Sequence, residues 1–285
     1  MKKFLALLVL AAGVLFAPAS WAETAVLNGH PVYYTDTGVG EKTLILVHGW
    51  GGRTTFWDGQ IDALAEKNRV IALDLPGHGR SSAQPRAYTQ AYFAAAIKAV
   101  MDKAKVDKAV LVGHSMSAST VRWAAKLYPK RVAGLVLIDG VIYPMSKDKA
   151  KRQEWLKEMK GFIKPLKGPD GKKALIDFLN MLHTENTPQE VKDAVEFSVL
   201  KTQKHVRMSA LDNLFTIEAM DLPPIDVPTL ALYVRNADLP PDFEAQMRPL
   251  FPNMTYVEFE DAGHFMMMEQ PDDVNEKILE FVEKL

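Results

Sequence analysis

The chain has 285 residues, 48% of them hydrophobic and 24% charged, with no cysteine and a formal charge of −1. That is ordinary globular composition, long enough to bury roughly 70–75% of the unfolded surface without a disulfide or a structural metal. The small, mixed charge argues against nucleic acid or an anionic membrane as partner.

The chain opens on Met1-Lys2-Lys3, followed by an apolar run over Phe4–Ala17 and by Ser20-Trp21-Ala22. Basic start, apolar stretch and small residues three and one before Glu23 read as a secretory signal peptide over 1–22, cut after Ala22. The run is shorter than the ~20 residues of a spanning helix, so no membrane span is expected after cleavage, and the product is expected to be periplasmic or secreted. Ala25–Tyr34 carries Asn28-Gly29 between β-prone flanks and predicts a hairpin. Thr43–Val47 and Arg69–Leu73 are continuously apolar, as strands buried on both faces must be. Thr54–Lys67 and Tyr88–Lys105 have helical character.

Ala109–Val112 predicts another strand, Met116–Tyr128 a helix stopped by Pro129, and Ala133–Ile138 a strand ending at Asp139. This alternation predicts an α/β fold with a mostly parallel sheet. It breaks at Pro144–Asp221, where helix-like stretches run over Lys147–Lys164, Lys172–Thr184, Pro188–Lys201 and Gln203–Met220. Strand signals return at Thr229–Val234 and Thr255–Phe259, and a last helix opens at Pro271. The expected layout is a core of 23–142 and 221–285 with a helical cap, 143–220, over the carboxyl ends of the strands. Trp155, Met159, Phe162 and Phe178 of the cap, with Phe265, are expected to line a substrate pocket; Leu179, Leu182 and Phe197 are further candidates.

The chemistry centres on Gly113-His114-Ser115-Met116-Ser117, a sharp turn between strand and helix with a serine at its apex. A serine hydroxyl needs a base within hydrogen-bond reach, and the base needs a carboxylate to orient it. The order serine, acid, histidine is met by Ser115, by Asp238 four residues beyond the Thr229–Val234 strand, and by His264 after Thr255–Phe259. Asp139 is the alternative acid. Ser117 stands where the turn pattern usually has glycine, and Ser117→Gly is expected to fold and stay active. No histidines pair with a carboxylate at ligand spacing, so no metal is expected. No nucleotide-binding glycine pattern occurs, so no cofactor is expected either.

These motifs, with His48-Gly49-Trp50 after a strand and Asp74-Leu75-Pro76-Gly77-His78-Gly79-Arg80-Ser81, give the chain a resemblance to the α/β-hydrolases over essentially its whole mature length. The resemblance implies an acyl-enzyme on Ser115, hydrolysed by water, and an oxyanion hole from the backbone N–H groups of Trp50 and Met116. Members that open epoxides or remove halides have aspartate at the turn, so Ser115 points to acyl transfer on a small-molecule ester. Tryptophan after His-Gly and methionine after the serine also resemble cofactor-free perhydrolases and haloperoxidases. The Gly-x-Ser-x-Ser turn also resembles slow-turnover signalling proteins on the same scaffold.

Overall fold

The computed structural model describes residues 20–235 and 239–285. Eight strands form one sheet: β1 (Ser20–Leu27), β2 (His30–Thr37), β3 (Thr43–Val47), β4 (Arg69–Leu73), β5 (Ala109–His114), β6 (Val132–Ile138), β7 (Thr229–Val234) and β8 (Met254–Phe259). Their spatial order is β1-β2-β4-β3-β5-β6-β7-β8. The first two strands run antiparallel and the rest parallel, so the expected fold class is observed. Asn28 and Gly29 both have positive φ, the backbone that a two-residue hairpin loop requires. Strands β3 to β7 are apolar on both faces because helices cover both sides.

The expected signal segment lies mostly outside the described residues. Its expected cut after Ala22 falls inside β1, where Ser20, Trp21 and Ala22 pair with Thr37, Asp36 and Thr35.

The flanking helices are α1 (Asp58–Ala65), α2 (Gln90–Lys103) and α3 (Met116–Leu127), with α4 (Lys149–Lys167), α5 (Gly171–Met181), α6 (Gln189–Lys201), α7 (Lys204–Leu214) and α8 (Ile217–Met220) following β6. Short α9 (Phe243–Met247) and α10 (Met266–Glu269) precede the final α11 (Pro271–Glu283). The stretch 203–220 is two helices rather than the single one expected. The chain turns at Phe215, and Thr216 caps α8 by accepting the Ala219 N–H. Among the described residues no helix is long and apolar enough to cross a membrane.

The helices of 149–220 are bonded to loops at the carboxyl ends of the strands. Ser198 Oγ donates to the Gly51 carbonyl at 2.7 Å, and Trp50 Nε1 donates to the Arg207 carbonyl at 2.8 Å. The return to the sheet is clasped by Arg122, which is 1% exposed and donates to the carbonyls of Met220 (3.0 Å) and Leu222 (2.7 Å).

Candidate active site

The site is built on the turn between β5 and α3. Ser115 has φ 53° and ψ −119°, a conformation that costs a non-glycine residue of order 1–3 kcal/mol. Two bonds across to the next strand hold it there: its N–H donates to Ile138 O at 2.9 Å, and Val141 N–H donates to its carbonyl at 3.0 Å. A Cβ on Gly113 would collide with the Ser117 carbonyl, so the close approach of strand and helix requires glycine. Ser115 Oγ makes no capping bond to α3. It donates instead to His264 Nε2 at 2.8 Å.

His264 Nδ1–H donates to Asp139 Oδ2 at 2.5 Å. Asp139 follows β6 directly, with φ 41°, and its N–H donates to Leu232 O at 2.8 Å. Its second oxygen accepts Val234 N–H at 3.2 Å, which fixes the carboxylate plane. Of the two candidate acids, the structure places Asp139, the alternative, on His264. An imidazole has one Nδ1, and Asp139 occupies it; Asp238 lies outside the described residues. The site is mostly closed to water: Ser115 is 8% exposed, and the His264 and Asp139 side chains 15% and 12%.

Several groups hold the His264 loop that sequence reasoning did not single out. His114 Nε2–H donates to the His264 carbonyl at 2.8 Å, so the residue before the serine also anchors the base. His264 N–H donates to Leu182 O at 3.0 Å, a contact from the helical insertion. Glu269 accepts both Gly263 N–H (2.8 Å) and Thr187 Oγ–H (3.1 Å). Backbone acceptors such as Leu182 O leave no signature in residue type. His114 did carry a signal, since a buried histidine needs a partner for its ring N–H.

The N–H groups of Trp50 and Met116, the expected oxyanion donors, have no acceptor among the described residues. The loop that carries Trp50 is held by hydrogen bonds of His48. His48 Nδ1–H donates to Gly49 O at 2.8 Å while Nε2 accepts Leu75 N–H at 3.0 Å, which sets one neutral tautomer. Burial drives His48 down to about 4 and His78 down to about 3. Both histidines are neutral when folded and protonate more easily when unfolded. Their contribution to stability is thus complete above about pH 6.5 and lost as pH falls towards 4 and then 3. Calorimetry across pH 7 to 4 is expected to show a falling Tm.

Ser117 has a partner too. Its hydroxyl, fully buried, donates to the His48 carbonyl at 2.5 Å and ties the Trp50 loop to the first turn of α3. Both amide donors thus share one clamp. This bond changes the outcome expected of substitution at this position: Ser117→Ala, like Ser117→Gly, leaves a buried carbonyl unpaired, at about 1–3 kcal/mol. We expect a lower Tm by calorimetry and about tenfold lower kcat, the size of a modest loosening of one oxyanion donor. Unchanged kcat in Ser117→Ala would show that the loop holds without it.

The residues expected to line a pocket sit along an aromatic series. Trp50 meets Phe178 edge-on at 5.8 Å, Phe178 meets Phe162 at 5.6 Å, Phe162 meets Phe215 at 6.5 Å, and Phe215 meets Trp155 at 6.4 Å. Phe162 is 45% exposed at this surface, and Met159 is partly buried against the core. Phe265 is elsewhere, packed against His114, His264 and Phe56. Leu179 is buried, and Phe197 is exposed beneath the Arg53 guanidinium. No group of three or more metal-ligating side chains stands together among the described residues.

A family model described as alpha/beta hydrolase fold matches residues 42–271. The chain is 28% identical over 262 residues to a 2-hydroxy-6-oxononadienedioate/2-hydroxy-6-oxononatrienedioate hydrolase of Paraburkholderia phymatum, covering 88% of this chain and 90% of the relative. A shorter match, 37% over 117 residues, is to the dihydrolipoyllysine-residue acetyltransferase component of the acetoin cleaving system of Cupriavidus necator; it spans 41% of this chain and 31% of that protein. Among solved structures, a thermophilic esterase from Thermogutta terrifontis superposes with a TM-score of 0.78 at 28% identity, covering 93% of this chain and 98% of the esterase.

Proposed function

The chain belongs to the alpha/beta hydrolase fold family, and from that premise we propose that it cleaves small to medium carboxylic esters through an acyl-enzyme on Ser115. The observation that carries this reading is the hydrogen-bonded series Ser115 Oγ, His264 Nε2 and Nδ1, Asp139 Oδ2. Ser115 Oγ attacks the carbonyl carbon while its proton passes to His264 Nε2. Asp139 keeps the Nδ1 proton in place and stabilises the imidazolium. The oxyanion accepts the N–H groups of Trp50 and Met116. When the tetrahedral intermediate collapses, the leaving alkoxide takes the Nε2 proton. A water activated by the same histidine then attacks the acyl carbon and frees Ser115.

The aromatic series running outward from Trp50 supports an apolar acyl or alcohol group over a charged one. The test is treatment with an organophosphonate and location of the adduct by mass spectrometry. An adduct on Ser115 that is absent from Ser115→Ala is expected, and no adduct on Ser115 would sink the reading. A second reading has its own support, the near full-length likeness to a 2-hydroxy-6-oxononadienedioate/2-hydroxy-6-oxononatrienedioate hydrolase. Higher kcat/KM on a 6-oxo-dienedioate than on nitrophenyl esters of graded chain length would favour it. Peracid formation from acetate and peroxide would favour a perhydrolase, and single turnover on nitrophenyl esters a signalling role.

Export across a membrane is part of the proposal, supported by Lys2-Lys3, the Phe4–Ala17 run and Ser20-Trp21-Ala22. Intact-mass measurement of the chain recovered from its native host tests it, with Glu23 as the expected first residue.

A further inference from the structure

A cavity of ≈350 Å³ lies wholly within the helical insertion, between the end of α4, the start of α5 and α7. Lys172, Lys204 and Arg207 line it, and no carboxylate does. Leu166, Leu175 and Met208 supply apolar wall. None of the residues of the Ser115 site lines it.

The charges here are arranged against their local setting. Helix α5 and helix α7 both start at this cavity, and each helix N-terminus carries partial positive charge. Neither has an acidic residue in its first turn; Asp170, the N-cap of α5, is exposed, makes no capping bond and does not line the cavity, and Gln203, the N-cap of α7, makes none either. Lysines occupy those turns instead: Lys172 in α5 and Lys204 in α7. The Lys204 ammonium stands 3.8 Å from where a Cβ on Gly171, the first residue of α5, would lie. Its one hydrogen bond is a long 3.5 Å contact with the Lys167 carbonyl. Arg207 makes no ion pair or side-chain hydrogen bond among the described residues, its Nε is buried without a partner, and burial lowers its pKa. Nearby acids are engaged elsewhere, Asp212 by Lys167 and Asp177 by Lys173.

Three cations and two helix N-termini meet at a cavity whose lining holds no carboxylate, and an anion bound there relieves their repulsion. The apolar wall beside them selects an anion with a hydrocarbon tail, and the volume suits a small ligand. We propose that this cavity binds an alkyl anion, its carboxylate or phosphate head on Arg207, Lys204 and Lys172 and its chain against Leu166, Leu175 and Met208. Arg207 also gives its backbone carbonyl to Trp50 Nε1, so the occupant lies one residue from the oxyanion loop. The proposal does not rest on the reaction assigned to Ser115.

Titration calorimetry on the full chain tests it with octanoate, octyl phosphate, octanol and inorganic phosphate. Octanoate or octyl phosphate is expected to bind about tenfold or more tighter than octanol and inorganic phosphate, the margin of one charge-assisted hydrogen bond. The tighter of the two names the head group. Arg207→Gln is expected to weaken that binding about tenfold. So is the double variant Lys172→Gln, Lys204→Gln, which changes only exposed lysines and leaves the helices packed. Lys149→Gln, which removes one charge as Arg207→Gln does, at the exposed start of α4, is expected to leave it unchanged. Equal affinity for inorganic phosphate and the alkyl anions, or binding that survives both sets of variants, overturns the proposal.

Discussion

Asp139→Asn is expected to lower kcat by about 10⁴-fold, while Asp238→Asn leaves kcat near the wild-type value. The amide is the same size as the carboxylate, so the fold has no reason to change. What changes is the proton on His264. A carboxylate can only accept, which keeps hydrogen on Nδ1 and leaves Nε2 free to take the Ser115 proton. An asparagine at 139 can offer an N–H to Nδ1 and stabilise the tautomer with hydrogen on Nε2, where no proton can be received. It also removes the negative charge that balances the imidazolium. The readout is kcat on a nitrophenyl ester, with KM and Tm measured alongside. A loss in kcat at unchanged Tm is the expected signature. Full loss in Asp238→Asn with little loss in Asp139→Asn would reverse the assignment.

Why the sequence favoured Asp238 over Asp139 is a matter of geometry. Strands β6 and β7 are parallel neighbours and end on the same sheet edge, only about 4.8 Å apart. Both Asp139 and Asp238 therefore follow strands that can deliver a carboxylate to His264. The choice turns on the loop path, and Asp139 turns back at once, with positive φ and a bond from Val234 N–H. None of that is written in residue type. The strands themselves were legible because burial on both faces demands unbroken apolar runs, as in Thr43–Val47 and Thr229–Val234. The β5–α3 turn was legible because its tightness restricts side-chain size at Gly113. Ser117 was read as an imperfection in that turn, since its partner, the His48 carbonyl, lies 69 residues away in the chain. The insertion was legible as helix but not as shape. Amphipathic periodicity marks helices without telling which one meets Trp50, and the break at Thr216 needed its capping bond to be seen.

Gly49→Ala carries the second large expectation, a fall in kcat of about 10²–10³-fold. Gly49 sits between His48, which Ser117 holds, and Trp50, whose N–H is one of the two proposed oxyanion donors. An alanine Cβ there would stand 2.9 Å from Ser115 Cβ and 2.9 Å from His114 Nδ1, closer than real Cβ contacts come. Neither neighbour can yield without consequence. Ser115 is pinned by backbone bonds to Ile138 and Val141, and His114 is bonded to the His264 carbonyl. The loop is the part left to move, and it takes the Trp50 N–H with it. A displacement near 1 Å at a reacting group is enough for about a hundredfold loss. Gly161→Ala is the matched control: its Cβ would meet open space, and alanine suits a helix interior better than glycine. Gly49→Ala is expected to lose kcat with KM little changed, because the donor acts on the transition state rather than on the bound ester. It should still take up organophosphonate on Ser115, only more slowly. Wild-type kcat in Gly49→Ala would mean that the loop relaxes without moving Trp50, and the clamp through Ser117 would lose its purpose.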